Sequence, residues 1–275
     1  MLVAQRSDSF PHDQAVGLRR AFARRALRVF PVCSLARDTI CQTLLIQLAA
    51  AFAERGQRVA LLDGDRGMLS AALGLRARYE LLHLMTGERD FAEVALAAES
   101  HLMVMPAARG LEAFIESGEA PATLFRGFLE LQEPFDTLLV SGPPATAAAL
   151  AEAREEVIFV TSQENDSLTY TYASIKRLAT DFPGRIVRVI VAGVSGEDEG
   201  QAIFERIAAC GARFLRQSIL YGGALPDHAD LREAAAAHKT VFRHAPRGEA
   251  AQHLHRLADA SESWSLSCIE SSSKV

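Results

Sequence analysis

Short apolar runs bounded by polar turns recur along this chain, and between most of them apolar residues return at helical spacing. The first helical pattern covers Asp13–Ala26, with Ala15, Leu18, Phe22 and Ala26 on one side and Arg20, Arg24 and Arg28 on the other. A β-run follows at Leu27–Cys33, then a polar break, then a helix over Thr39–Glu54 that stops at Gly56, a residue suited to helix C-termini. Further strands are expected at Arg58–Asp63, His101–Met105, Asp136–Ser141, Glu156–Thr161, Arg185–Val194 and Phe214–Leu220. The alternation predicts an α/β fold, a mostly parallel twisted sheet with helices on both faces.

Composition sharpens this picture. With 275 residues, 49% of them hydrophobic, the chain has ample material for a buried core, which excludes disorder of the whole chain. No Pro-, Gly- or Ser-rich linker interrupts residues 27–260, so a single domain is expected there; from Ser261 the chain turns Ser-rich, and 261–275 reads as a disordered tail. The net charge of −5 argues against a general nucleic-acid binder, although the first thirty residues hold six arginines against Asp8 and Asp13. Cys33, Cys41, Cys210 and Cys268 are too scattered for a paired metal motif, and reduced thiols are expected. No apolar run is long enough to span a membrane, and Asp8, His12 and Asp13 stand where a signal peptide is apolar, so a cytoplasmic protein is expected.

In parallel α/β sheets ligands sit at the carboxyl ends of the strands, which makes the turn after the first strand informative. Here Val32–Thr43 leads from strand to helix, and twenty residues on comes Val59-Ala60-Leu61-Leu62-Asp63-Gly64-Asp65. This layout resembles the MinD/ParA class of P-loop ATPases, in which a strand, a Gly- and Lys-rich loop ending in Lys-Thr, a helix and a strand with Asp-x-Asp follow in order. Leu81–Glu88, Val104–Ala108, Val157–Thr161, Tyr172–Lys176 and Leu225-Pro226-Asp227 continue the resemblance over most of residues 27–260. Asp13-Gln14-Ala15 with Leu18-Arg19-Arg20 also resembles the segment ahead of the ATPase domain in the FlhG (FleN) group of flagellar-number regulators.

The departures from the family pattern carry as much weight. A phosphate-cradling loop needs glycines whose backbone N–H groups converge on the anion, a lysine for charge and a hydroxyl for magnesium. At the glycine places this chain has Leu35, Arg37, Asp38 and Ile40; at the lysine places it has Ala36 and Cys41; and Gln42 replaces the magnesium hydroxyl. The family's strand-end aspartate is Ser141. Ser34, Thr43, Asp63, Asp65 and Pro226 remain as a vestigial nucleotide site, with no catalytic residue and no metal ligand assigned. No cofactor is expected, with ATP and magnesium as the alternative.

The resemblance therefore implies a non-enzymatic regulator of flagellar placement or number, acting through protein contacts with the GTPase FlhF and other flagellar proteins. Residues 1–26 would form the partner-binding helical segment, through Asp13, Gln14, Ala15, Leu18, Arg19, Arg20 and Phe22. It also allows a homodimer and recruitment to the inner membrane face at a cell pole. The apolar stripe of Ala250, Ala251, Leu254, Leu257 and Ala258 is small and lacks a cationic excess, so it is expected to pack on the domain with weak lipid contact at best. The alternatives are a weak ATPase and a pseudo-ATPase of cellulose secretion or pilus assembly.

Overall fold

A computed structural model describes residues 26–35, 37–214 and 218–270. The chain runs β1 (Ala26–Ser34), α1 (Thr39–Glu54), β2 (Val59–Asp63), α2 (Met68–Ala72), α3 (Leu81–Met85), α4 (Phe91–Val94), β3 (Leu96–Glu99) and β4 (Leu102–Pro106). It continues through α5 (Ala108–Ser117), α6 (Pro121–Leu129), β5 (Thr137–Ser141), α7 (Pro144–Ala149), β6 (Glu156–Ser162) and α8 (Asn165–Asp181). Then come β7 (Ile186–Val194), α9 (Glu197–Phe214), β8 (Ile219–Pro226), α10 (Ala229–Ala236), α11 (Val241–His244), α12 (Glu249–Ala260), a 3-10 turn (Ser261–Ser263) and β9 (Ser267–Glu270).

The strands form one sheet in the order β3-β4-β2-β5-β1-β6-β7-β8, with β9 added to β1. All pairings are parallel except β3 on β4 and β9 on β1. Alternation along each strand divides the core between two faces, as a sheet covered on both sides requires. Phe30 and Val32 of β1 and Val59 and Leu61 of β2 pack with α1 and α12, while Leu27, Val29, Ala60 and Leu62 face Leu111, Phe125 and Phe128 of α5 and α6. The stripe of α12 is buried in the first of these cores. No helix among the described residues is long and apolar enough to cross a membrane. The chain leaves β1 toward β2 on one side and later builds β6 on the other, so β1 marks the topological switch point where such folds open a crevice.

Three expectations need correction. Phe214 ends α9 rather than opening a strand, and the last parallel strand runs later, over Ile219–Pro226. Its Gly222-Gly223 pair is a bulge inside the strand: Val189 pairs Tyr221, Ile190 pairs Gly223, and the residue between is extra. A Cβ on Gly222 would lie 2.9 Å from Ile190 Cγ1, and Gly223 has φ +115°, so the pair must be glycine here. Second, residues 261–270 form a turn and a short strand paired with β1 in the middle of the sheet, not part of a disordered tail. Trp264 is buried edge-on to Phe30 at 6.3 Å between ring centroids, and the Arg188 guanidinium lies 4.8 Å over its ring. Arg188 is also paired with the buried Glu156, whose carboxylate accepts the Ser265 N–H. Third, Ala26 belongs to β1, not to a preceding helix. The rest of the 1–26 segment, with Asp13, Gln14, Ala15, Leu18, Arg19, Arg20 and Phe22, lies outside the described residues.

Candidate functional site

The crevice at the switch point is built on the connection from β1 to α1. Asp38 N–H donates to the Leu35 carbonyl at 2.8 Å, which turns the chain sharply into the helix. Asp38 then caps α1, its Oδ1 accepting from the N–H groups of Ile40 (3.0 Å) and Cys41 (3.1 Å). Its other oxygen accepts from the Ser162 hydroxyl at 2.6 Å, at the carboxyl end of β6. Ser167 extends the network: its hydroxyl accepts from Ser162 N–H at 3.0 Å and lies 3.3 Å from Thr161 Oγ1. Burial works to raise the Asp38 pKa, but hydrogen bonds from Ser162, Ser167 and Cys41 outweigh it and hold the carboxyl below its ordinary value. The carboxylate thus points into its own helix terminus, and the Arg37 side chain is exposed. No residue described between Ala26 and Glu54 has a positive φ, the conformation that bends successive N–H groups into an anion nest.

The two aspartates after β2 are equally engaged. Asp63 is fully buried and accepts from the N–H groups of Leu69 (2.9 Å), Ser70 (3.0 Å) and Asp65 (3.2 Å) and from the Ser70 hydroxyl (3.3 Å). Asp65 accepts from the Ser141 hydroxyl at 2.6 Å. Burial raises both carboxyl groups above their usual value, against the hydrogen bonds that favour the charge. Gly64 makes this packing feasible: its N–H donates to the Ser141 carbonyl at 2.9 Å, and a Cβ there would come within 2.3 Å of that oxygen. Ser141 therefore serves as the donor that quiets Asp65.

Of the three remaining candidates, Thr43 and Pro226 line one cavity of about 470 Å3 between α1 and the ends of β7 and β8. The Thr43 hydroxyl itself is turned back on the Thr39 carbonyl at 2.8 Å. Ser34 is buried at the end of β1. The structure thus joins Asp63 to Asp65 and Thr43 to Pro226, as two separate pairs. Burial and the neighbouring thiol Cys33 both push the Tyr170 hydroxyl of α8 up, and burial pushes Cys33 and Cys41 up as well, so no thiolate nucleophile is available here. Sequence reasoning missed Ser162 and Ser167 as partners of Asp38. Asp38 directly before an apolar helical run is the signal for an N-cap, but nothing local announces the β6 end that completes it.

No family model matches the chain. It is 29% identical over 227 residues to the antiactivator FleN of Pseudomonas aeruginosa, covering 80% of this chain and 81% of that one. The flagellum site-determining protein YlxH of Helicobacter pylori is 25% identical over 220 residues, 77% of this chain and 74% of its own. The chain is a homologue of FleN and YlxH. Among solved structures, the MinD cell division protein of Aquifex aeolicus superimposes with a TM-score of 0.59 at 19% identity, covering 84% of this chain and 95% of that one. The septum site-determining MinD of Pyrococcus horikoshii, complexed with Mg-ADP, gives 0.57 at 19% identity over 86% and 96%. The fold of this FleN and YlxH homologue is that of the MinD/ParA class.

Proposed function

We propose that the chain is a MinD-like regulator of flagellar placement or number that works through protein contacts and turns over no ATP. The observation that carries this reading is the Asp38 carboxylate, which holds the first N–H groups of α1 and the Ser162 hydroxyl. A helix N-terminus of this kind is where the fold would receive a phosphate. A phosphate arriving there meets a like charge and finds its donors taken; two unit charges 4 Å apart at an effective dielectric of 20 repel by about 4 kcal/mol. The crevice residues therefore do not fit a magnesium nucleotide, and no catalytic step is assigned to them. The flagellar role is drawn from the names of FleN and YlxH, to which the chain is similar along most of its length.

One observation favours a second reading. The cavity beside Thr43 and Pro226 stays open, so weak nucleotide binding without turnover is the alternative to be measured. Titration of the purified chain with magnesium and a fluorescent ATP analogue, alongside a phosphate-release assay, is expected to give neither saturation nor turnover. Magnesium-dependent turnover abolished by Asp65→Asn would defeat the proposal. For the partner, a peptide of residues 1–26 is expected to raise GTP hydrolysis by FlhF, the signal-recognition-type GTPase, and Gln14→Ala to remove that stimulation. An inert peptide would remove FlhF from the reading.

A further inference from the structure

Beside the Asp38 corner, at the carboxyl ends of β2 and β4, a separate cleft of about 700 Å3 opens between the loop after Asp65 and the start of α5. Arg66, Arg78 and Arg109 line it. Arg109 is fixed: its guanidinium and its backbone N–H both bond the buried Glu80 carboxylate, which joins α3 to α5. Arg66 and Arg78 are exposed, and among the described residues neither has an acid, carbonyl or ring partner. Arg66 holds this position with φ +59°, a conformation arginine seldom adopts, next to Gly67 at +85°. His83 accepts the Glu80 N–H on Nδ1 at 3.2 Å, which leaves Nε2 to carry the proton of the neutral ring as one more donor on the cleft wall.

We propose that this cleft is a docking site for an acidic, partly apolar segment of a partner protein. Unpartnered guanidinium groups around a concave surface are complementary to carboxylates and attract them locally, against the overall charge of −5. The rest of the lining decides against a compact phosphate. Leu75, Pro106 and Ala108 give the cleft apolar stretches between its charges, and Glu112 would repel a dense polyanion. An extended peptide with carboxylates set between apolar side chains meets the arginines and the apolar stretches together and leaves Glu112 aside. The proposal rests on the reading of the chain as one that acts through protein contacts, and its test uses neither nucleotide nor GTPase, so either can fail alone.

The test is fluorescence anisotropy of a fluorescein-labelled peptide of alternating glutamate and leucine, titrated with the full chain. Saturable binding is expected, weakening with added salt and by roughly tenfold in the Arg66→Asp/Arg78→Glu double variant. Aspartate is chosen at position 66 because it tolerates the left-handed backbone better than most residues. Arg177→Glu, an exposed charge reversal on α8, is expected to leave binding unchanged and circular dichroism to be the same for all variants. Absence of binding, or an equal loss in Arg177→Glu, would overturn the proposal. So would displacement of the peptide by inorganic tripolyphosphate at concentrations where sodium chloride of equal ionic strength has no effect, since the cleft would then be a phosphate site. Sedimentation showing a dimer that the double variant dissolves would assign the cleft to a second copy of the chain.

Discussion

Two neighbouring places at the carboxyl ends of the strands handle charge in opposite ways. At the start of α1 an anion is wanted, and the chain supplies its own in Asp38, with Ser162 as a further donor. In the cleft beyond β2 and β4 anions are equally wanted, but the chain supplies one only to Arg109 and leaves Arg66 and Arg78 open. The first arrangement spends its chemistry on stability; the second keeps it for something outside the molecule. Asp63 stands between them, since its carboxylate fixes the loop from Asp65 to Ser70 that carries Arg66.

The largest effect is therefore expected at that junction. Asp63→Ala removes an acceptor that serves three N–H groups and a hydroxyl in a fully buried position. Each buried donor left without a partner costs about 1–3 kcal/mol. With some of them rescued by water, a net loss of about 3 kcal/mol is expected in urea unfolding, together with weaker binding of the acidic peptide. A loss below about 1 kcal/mol would mean that the loop stands without Asp63 and that the two places are independent.

Asp38→Ala comes next, at about 1–2 kcal/mol, the range for losing a helix N-cap. Its pH dependence tests the internal anion directly. The folded pKa of Asp38 lies below its ordinary value of 3.8, so its stabilisation is present above that value and is lost as pH falls through the folded pKa. Asp63 and Asp65 act in the opposite sense, with folded pKa values above 3.8, so their charging costs stability as pH rises from 3.8 through those values. The gap between the parent chain and Asp38→Ala should accordingly narrow as pH drops below about 4, whereas a constant gap would show that the charge of Asp38 contributes nothing. Ser162→Ala should cost about 1 kcal/mol, the usual net worth of one hydrogen bond, and shift the parent acid limb toward higher pH.

How far these places could be read from the sequence depended on how local their causes are. The helix Thr39–Glu54 was legible because its apolar run and the Gly56 that stops it are local to the segment. The strands β2, β5, β6 and β7 were legible because burial on both faces leaves short, mostly apolar runs, broken in β7 only by Arg188. The strand β8 was misplaced because Gly222-Gly223 reads as a turn until its parallel neighbour makes it a bulge. The strand β9 was hidden because Ser267-Cys268-Ile269-Glu270 has no pattern of its own and is held by β1 and by the Trp264 anchor. At the site, the missing glycines and lysines were plain, but that Asp38 would turn inward to Ser162, 124 positions away, was not. The arginines of the cleft come from three separate segments, and only the fold brings them together.

The smallest effect on stability is expected where the binding effect is greatest. Arg66 and Arg78 make no ion pair or hydrogen bond among the described residues, so Arg66→Asp/Arg78→Glu removes no internal contact. Surface substitutions of this kind change stability by about 0.5 kcal/mol or less. The sign should be slightly unfavourable at low salt: the chain already carries −5, and two reversals shift the charge by a further −4 near Glu112, the buried Asp63 and the half-buried Asp65. Added salt should erase that penalty, because exposed charges are screened within about 10 Å at 0.1 M. Urea unfolding of the double variant at low and moderate salt measures this. A loss of 2 kcal/mol or more that salt did not relieve would mean that the arginines hold the loop in place, and the contrast with Asp38 would disappear.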